Sequence, residues 1–73
     1  SDALDIAPGP PARAATFRLA RDELRRVDAL VADERLDAAA AARRRASVRA
    51  AFARRARAAG LDVAAIRRLL ARL

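Results

Sequence analysis

The 73-residue chain contains no Cys, His, Lys, Met, Trp or Tyr, and neither Asn nor Gln. These absences remove much of enzyme chemistry: there is no imidazole base, no thiol nucleophile, no amine for a Schiff base and no soft metal ligand. No catalytic residue, metal site or cofactor is expected. Without Cys there is no disulfide framework, and the redox compartment stays open. Gly9 and Gly60 are the two glycines, so no Gly-rich loop can cradle a phosphate. No apolar run approaches the ~18–20 residues of a membrane span, and no signal-peptide pattern appears. The expectation is an intracellular, cytoplasmic chain.

Ala and Arg take up the space. The sequence has 23 Ala and 16 Arg, so two residue types make up more than half of it. The 55% hydrophobic content shrinks to 17 side chains larger than Ala. That is thin for an independent core, because a domain of this length is marginal even with a good one. Oligomerisation is the natural remedy. High-GC coding favours both Ala and Arg, so Arg in place of Lys is in itself compatible with genome bias. The net charge of +7 is more informative because of where it sits. Residues 1–37 hold six Arg and eight acids, whereas residues 38–73 hold ten Arg and one acid, Asp62. Solvated helices usually mix signs to gain i,i+4 pairs. The second half forgoes them and accepts self-repulsion, which points to a polyanionic partner, nucleic acid ahead of an anionic membrane or an acidic protein.

Along the chain the pattern is a tail, a long helix, a break and a short helix, an all-α fold. Pro8-Gly9-Pro10-Pro11 favours extended backbone, and residues 1–15 read as a flexible arm ahead of a helical domain over 16–73. From Ala12 to Ala59 there is neither Gly nor Pro, and Ala, Arg and Leu are strong helix formers. Placing Phe17, Leu24, Val31, Ala38, Arg45 and Phe52 at position a of a heptad puts Ala20, Val27, Glu34, Ala41, Val48 and Arg55 at d. The phase found before the Ala38–Ala42 tract is recovered after it. This predicts one continuous helix over about 17–58 with an imperfect coiled-coil seam, defective at Glu34, Arg45 and Arg55. Gly60 then ends the helix as a left-handed cap residue, and Asp62 caps the next one. Val63, Ile66, Leu69 and Leu70 form an apolar stripe on a short helix over about 62–73. With Leu24, Val27, Val31, Val48 and Phe52, they are the candidate oligomer interface of a helical dimer or tetramer.

The candidate chemistry reduces to arginines. The carboxylates Asp22, Glu23, Asp28, Asp33, Glu34 and Asp37 lack a pocket and read as a solvated face, so an enzyme is not expected. Arg43, Arg44, Arg49, Arg54, Arg57, Arg67 and Arg68 are the candidate nucleic-acid contacts; on a single helix those of the long element spread around much of its circumference. Guanidinium donates bidentately to phosphate and stays charged. Both aromatics fall at seam positions, so base stacking is not offered and single strands are disfavoured. Missing Asn and Gln removes the usual adenine readers, leaving groove shape as the better readout.

The stretch Phe52-Ala53-Arg54-Arg55-Ala56-Arg57-Ala58-Ala59-Gly60-Leu61-Asp62-Val63-Ala64-Ala65-Ile66-Arg67-Arg68-Leu69-Leu70 resembles the GapR family of nucleoid-associated proteins. That family shows an aromatic in a long basic helix, then Gly-aromatic-Asp-Val, then a short helix with an aliphatic, two basic residues and two more aliphatics. Gly60, Asp62, Val63, Ile66, Arg67, Arg68, Leu69 and Leu70 fit it directly, and Glu34-Arg35-Leu36-Asp37 is similar to its Glu-Arg-Leu-Glu stretch. Leu61 stands where the family has an aromatic, and the span from Leu36 to Gly60 is about two residues longer. The resemblance implies a bacterial, all-helical dimer that pairs into a tetramer around double-stranded DNA, prefers AT-rich or overtwisted duplex and serves chromosome organisation in the nucleoid. It matches Arg57, Arg67 and Arg68 to basic positions, and Arg43 and Arg49 only with one residue inserted. Two other readings stay open. A ribbon-helix-helix repressor would use Thr16-Phe17-Arg18-Leu19 as a short strand. A helical docking module would carry its charge for solubility.

Overall fold

A computed structural model describes residues 10–73, with side chains described from Arg13 onward. It contains three helices, α1 (Pro10–Ala32), α2 (Ala38–Ala58) and α3 (Val63–Arg72), and no strand among the described residues. The all-α expectation holds, and the short last helix begins and ends close to where Asp62 and the apolar stripe place it.

Two boundaries differ from the sequence reading. Residues 10–15 are helical, so the expected arm is not extended there; the rest of it, residues 1–9, lies outside the described residues. Pro10 and Pro11 occupy the first turn of α1, where the backbone N–H has no intrahelical acceptor and a fixed φ is already helical, so proline costs little. The larger correction is the long helix. There is no continuous helix over 17–58: residues 33–37 interrupt it and fold the chain back on itself. Glu34 takes a left-handed φ of 58°. Its N–H donates to the Val31 carbonyl at 3.0 Å, and the Arg35 N–H reaches back to the Leu30 carbonyl at 2.9 Å. This pair of bonds is a Schellman cap, which satisfies the last carbonyls of a helix. Asp37 then opens α2, its carboxylate accepting from the Ala40 N–H at 2.7 Å.

The second turn repeats the plan. Gly60 has a φ of 92°, its N–H donates to the Arg57 carbonyl at 2.9 Å, and the Leu61 N–H donates to the Ala56 carbonyl at 3.1 Å. Asp62 caps α3 by accepting from the Ala65 N–H at 2.7 Å. Leu61, just before that cap, packs against the cluster that contains Ile66, four residues beyond it. Such a contact across a cap fixes the angle at which the chain enters the helix.

α1 and α2 therefore form an antiparallel hairpin, with Phe17 against Phe52 at one end and Asp28 against Arg45 toward the turn. The seam closes within one chain. The Phe rings meet edge to face, with centroids 5.9 Å apart and planes at 76°, a favoured aromatic geometry. Ala20, Phe52, Ala56 and Ile66 are the buried centre, ringed by Phe17, Val48, Ala53, Leu61, Leu69, Leu70 and Leu73. Val27 and Ala41 are buried nearer the turn. The small Ala side chains let the helices approach closely, which partly offsets the scarcity of large residues. Of the expected interface residues, Val27, Phe52 and Ile66 are consumed by this core. Leu24, Val48, Leu69 and Leu70 are half-buried, while Val31 and Val63 remain exposed.

The three seam defects resolve individually. Glu34 is the turn itself. Arg45 sits at the hairpin interface and bonds Asp28 across it, Nη2 to Oδ1 at 2.6 Å. Arg55 is exposed on the outside of α2.

Candidate nucleic-acid interface

The hairpin separates the charges in space. Residues 10–37 carry six Arg and six acids and are neutral, whereas α2, its following turn and α3 hold ten Arg against Asp62. α1 itself carries five Arg against three acids, the turn after it adds three acids and one Arg, and α2 is strongly basic with seven Arg and no acid.

Helical geometry sorts the arginines of α2. Eleven residues make about three turns, so residues that far apart fall within about 20° of the same direction. Arg43 and Arg54 are such a pair, with Arg57 close by on the face opposite Phe52; the stripe runs about 21 Å at 1.5 Å per residue. Across a shallow cleft of about 200 Å³, Arg67 of α3 joins Arg54 and Arg57 over a floor of Ala53, Val63 and Ile66. Val63 is half exposed there, at 51%. Arg44 and Arg55 form a second eleven-residue pair on another side of α2. Arg44 borders the groove between α1 and α2, with Glu23 and Arg26.

Among the expected contacts, then, Arg54, Arg57 and Arg67 come together, and Arg43 extends their line. Arg44 faces elsewhere, and Arg68 is exposed on α3 away from that cleft's lining. Arg49 is tied to the fold: its Nη1 donates to the Leu70 carbonyl at 3.0 Å, near the C-terminus of α3. There it shares that carbonyl with the Leu73 N–H, which donates at 3.2 Å, and places positive charge at the negative end of the helix dipole. Arg43, Arg44, Arg54, Arg57, Arg67 and Arg68 make no hydrogen bond or ion pair among the described residues.

A further basic group escaped the sequence reading. Arg13 and Arg18 of α1 and Arg72 of α3 border a cleft floored by Phe17, Leu61 and Leu69. Counting charge by halves hid it, because the two α1 arginines are cancelled on paper by acids on other faces. Beside it, the Arg21 guanidinium lies 5.7 Å from the Phe17 ring centroid, within cation–π range.

Among the described residues, no group of three or more acids could hold a metal ion, and no helix is long and apolar enough to cross a membrane. Comparison with protein-family models, with curated proteins and with solved structures finds no match to this chain.

Proposed function

We propose that the chain binds double-stranded DNA through phosphate contacts from α2 and α3, as a nucleoid-associated-type protein. The observation that carries this reading is the acid-free array of Arg43, Arg54, Arg57 and Arg67, aligned along one face and the adjoining cleft with no intramolecular partner. An unpaired basic stripe repels itself until a polyanion neutralises it. A helix about 10–12 Å across with its side chains suits the roughly 12 Å width of the DNA major groove. Guanidinium also suits a narrow minor groove, which would favour AT-rich DNA without base contacts, in keeping with the family resemblance. Phe52 is buried and Phe17 is packed against it, so neither supports stacking on unpaired bases. In this reading the protein works in the bacterial nucleoid. The ribbon-helix-helix alternative loses its footing, because Thr16–Leu19 lies inside α1 and is helical.

The test is fluorescence anisotropy of a labelled duplex titrated with protein across about 50–200 mM salt. Tight binding is expected, with log K falling steeply against log salt. Each lost phosphate contact removes about 0.9 from that slope, so Arg43→Ala, Arg54→Ala, Arg57→Ala and Arg67→Ala combined should remove about 3–4. Arg25→Ala with Arg35→Ala subtracts charge from the balanced part of the chain and should leave the slope nearly unchanged. Weak binding at low salt by a folded helical protein would reject DNA and favour the docking module.

A further inference from the structure

α3 covers one side of the hairpin and leaves the other open. The groove on the open side is lined by Glu23, Arg26, Val27 and Leu30 of α1 and Arg44, Ser47 and Val48 of α2, with no residue of α3. Leu19, the most exposed large apolar residue among the described residues at 56%, belongs to the same side. Leu19, Glu23, Arg26 and Leu30 are spaced i, i+4, i+7 and i+11, which places them in one stripe along α1. Glu23 is half-buried, yet neither it nor Arg26 makes a hydrogen bond or ion pair among the described residues.

The stripe is self-complementary. Read backwards about its midpoint, between Leu24 and Arg25, Leu19 exchanges with Leu30 and Glu23 exchanges with Arg26. Apolar falls on apolar, and acid falls on base. A two-fold interface demands this: residue i meets residue j of the other copy while j meets i. We propose that a second copy of this chain docks here, its α1 antiparallel to this one, with Leu19 against the other copy's Leu30 and Glu23 against its Arg26, each contact made twice. The mixed charge of the groove argues against a polyanion as its occupant, and the small core gives the chain a reason to bury more apolar surface. The inference stands on a different face from the DNA reading and does not depend on it. In a dimer the basic stripes of two chains would be held in one particle, doubling the phosphate contacts available.

The experiment is sedimentation equilibrium on the full chain without DNA, with circular dichroism to confirm that each variant is helical. The wild type should dimerise. Glu23→Arg or Arg26→Glu alone should raise the dimer Kd by about tenfold or more, because each change replaces two attractions with two repulsions. The double variant restores both pairs with their signs exchanged and should return Kd to within a few-fold of wild type. A second arm uses the absence of native Cys. Leu19→Cys with Leu30→Cys puts two thiols on one helix about 16 Å apart, too far for an internal disulfide. Oxidation should give a covalent dimer, whereas Leu19→Cys alone should not, because an antiparallel pairing holds the two thiols at position 19 about 16 Å apart along the helices; a parallel pairing would cross-link the single variant. A monomer at all concentrations, a Kd unmoved by the single swaps, no rescue in the double variant, or failure to cross-link would each overturn the proposal.

Discussion

Replacing Glu34 with Gly tests the hairpin directly, because the sign of the effect depends on which fold is present. Glu34 holds a φ of 58°, a conformation that costs an L-residue with a Cβ about 1–2 kcal/mol. Gly takes it without that penalty, but its freer unfolded chain returns about 0.4–1 kcal/mol of the gain. The Glu34 side chain is exposed and makes no hydrogen bond or ion pair among the described residues, so no contact is lost with it. Its negative charge also sits at the C-terminus of α1, the wrong end of the dipole. The net expectation is stabilisation by about 0.5–1 kcal/mol, which corresponds to a rise in Tm of about 2–8 °C for a domain of this size. If residues 17–58 formed one helix, the same change would put Gly mid-helix and cost roughly 0.5–1 kcal/mol. Gly60→Ala is the matched control. A Cβ there meets nothing within 4 Å at a φ of 92°, so its cost is conformational, about 1 kcal/mol or more. Thermal and urea unfolding followed by circular dichroism at 0.15 M salt would read both. A lower Tm for Glu34→Gly refutes the turn at residues 33–37 and restores the single helix.

Phe52→Ala removes the largest fully buried side chain together with its ring contact to Phe17; a loss of about 3–5 kcal/mol is expected, enough to leave so small a domain largely unfolded by circular dichroism at 25 °C. Arg49→Ala should cost about 1 kcal/mol in denaturant unfolding by removing the bond that ties α2 to the Leu70 carbonyl, which keeps only the Leu73 N–H, while changing the salt slope of DNA binding less than Arg54→Ala does; the reverse ranking would mean that Arg49 serves phosphate rather than the fold.

The second turn was readable in the sequence and the first was not. Gly60 and Asp62 carry their backbone roles in their residue types, since Gly accepts positive φ and Asp accepts N–H groups at a helix start. At residues 33–37 the same geometry is built with Glu at the left-handed position, and Glu is otherwise a good helix former. Asp37 is a capping residue type, but beside Asp33 and Glu34 it reads equally well as part of a solvated acidic face. The recovered heptad phase misled for a physical reason: two helices of a hairpin each need an inward stripe, so both show periodic large residues whether the chain runs straight or turns back. The heptad frame also concealed the basic stripe. Arg43 and Arg54 take different heptad letters yet lie three turns apart on one face, and the Ala-rich sequence between them offers no contrast to reveal the alignment. Arg67 could be placed opposite Arg54 and Arg57 only once the second turn fixed where α3 crosses α2.

Both turns are short, five residues and four, and that bears on how the chain acquires its structure. Each helix packs against the one made just before it, so the loops that must close are small and the sequence separation of most contacts is low. Helical proteins of this topology fold in microseconds to milliseconds. During synthesis α1 and α2 can pair as soon as both have emerged, since the Phe17–Phe52 contact needs nothing from α3. α3 then arrives as a lid on a partly formed hairpin, and burial of Ile66 with the Arg49–Leu70 bond completes it. These apolar residues would spend little time exposed, which limits the opportunity for aggregation while the three helices assemble.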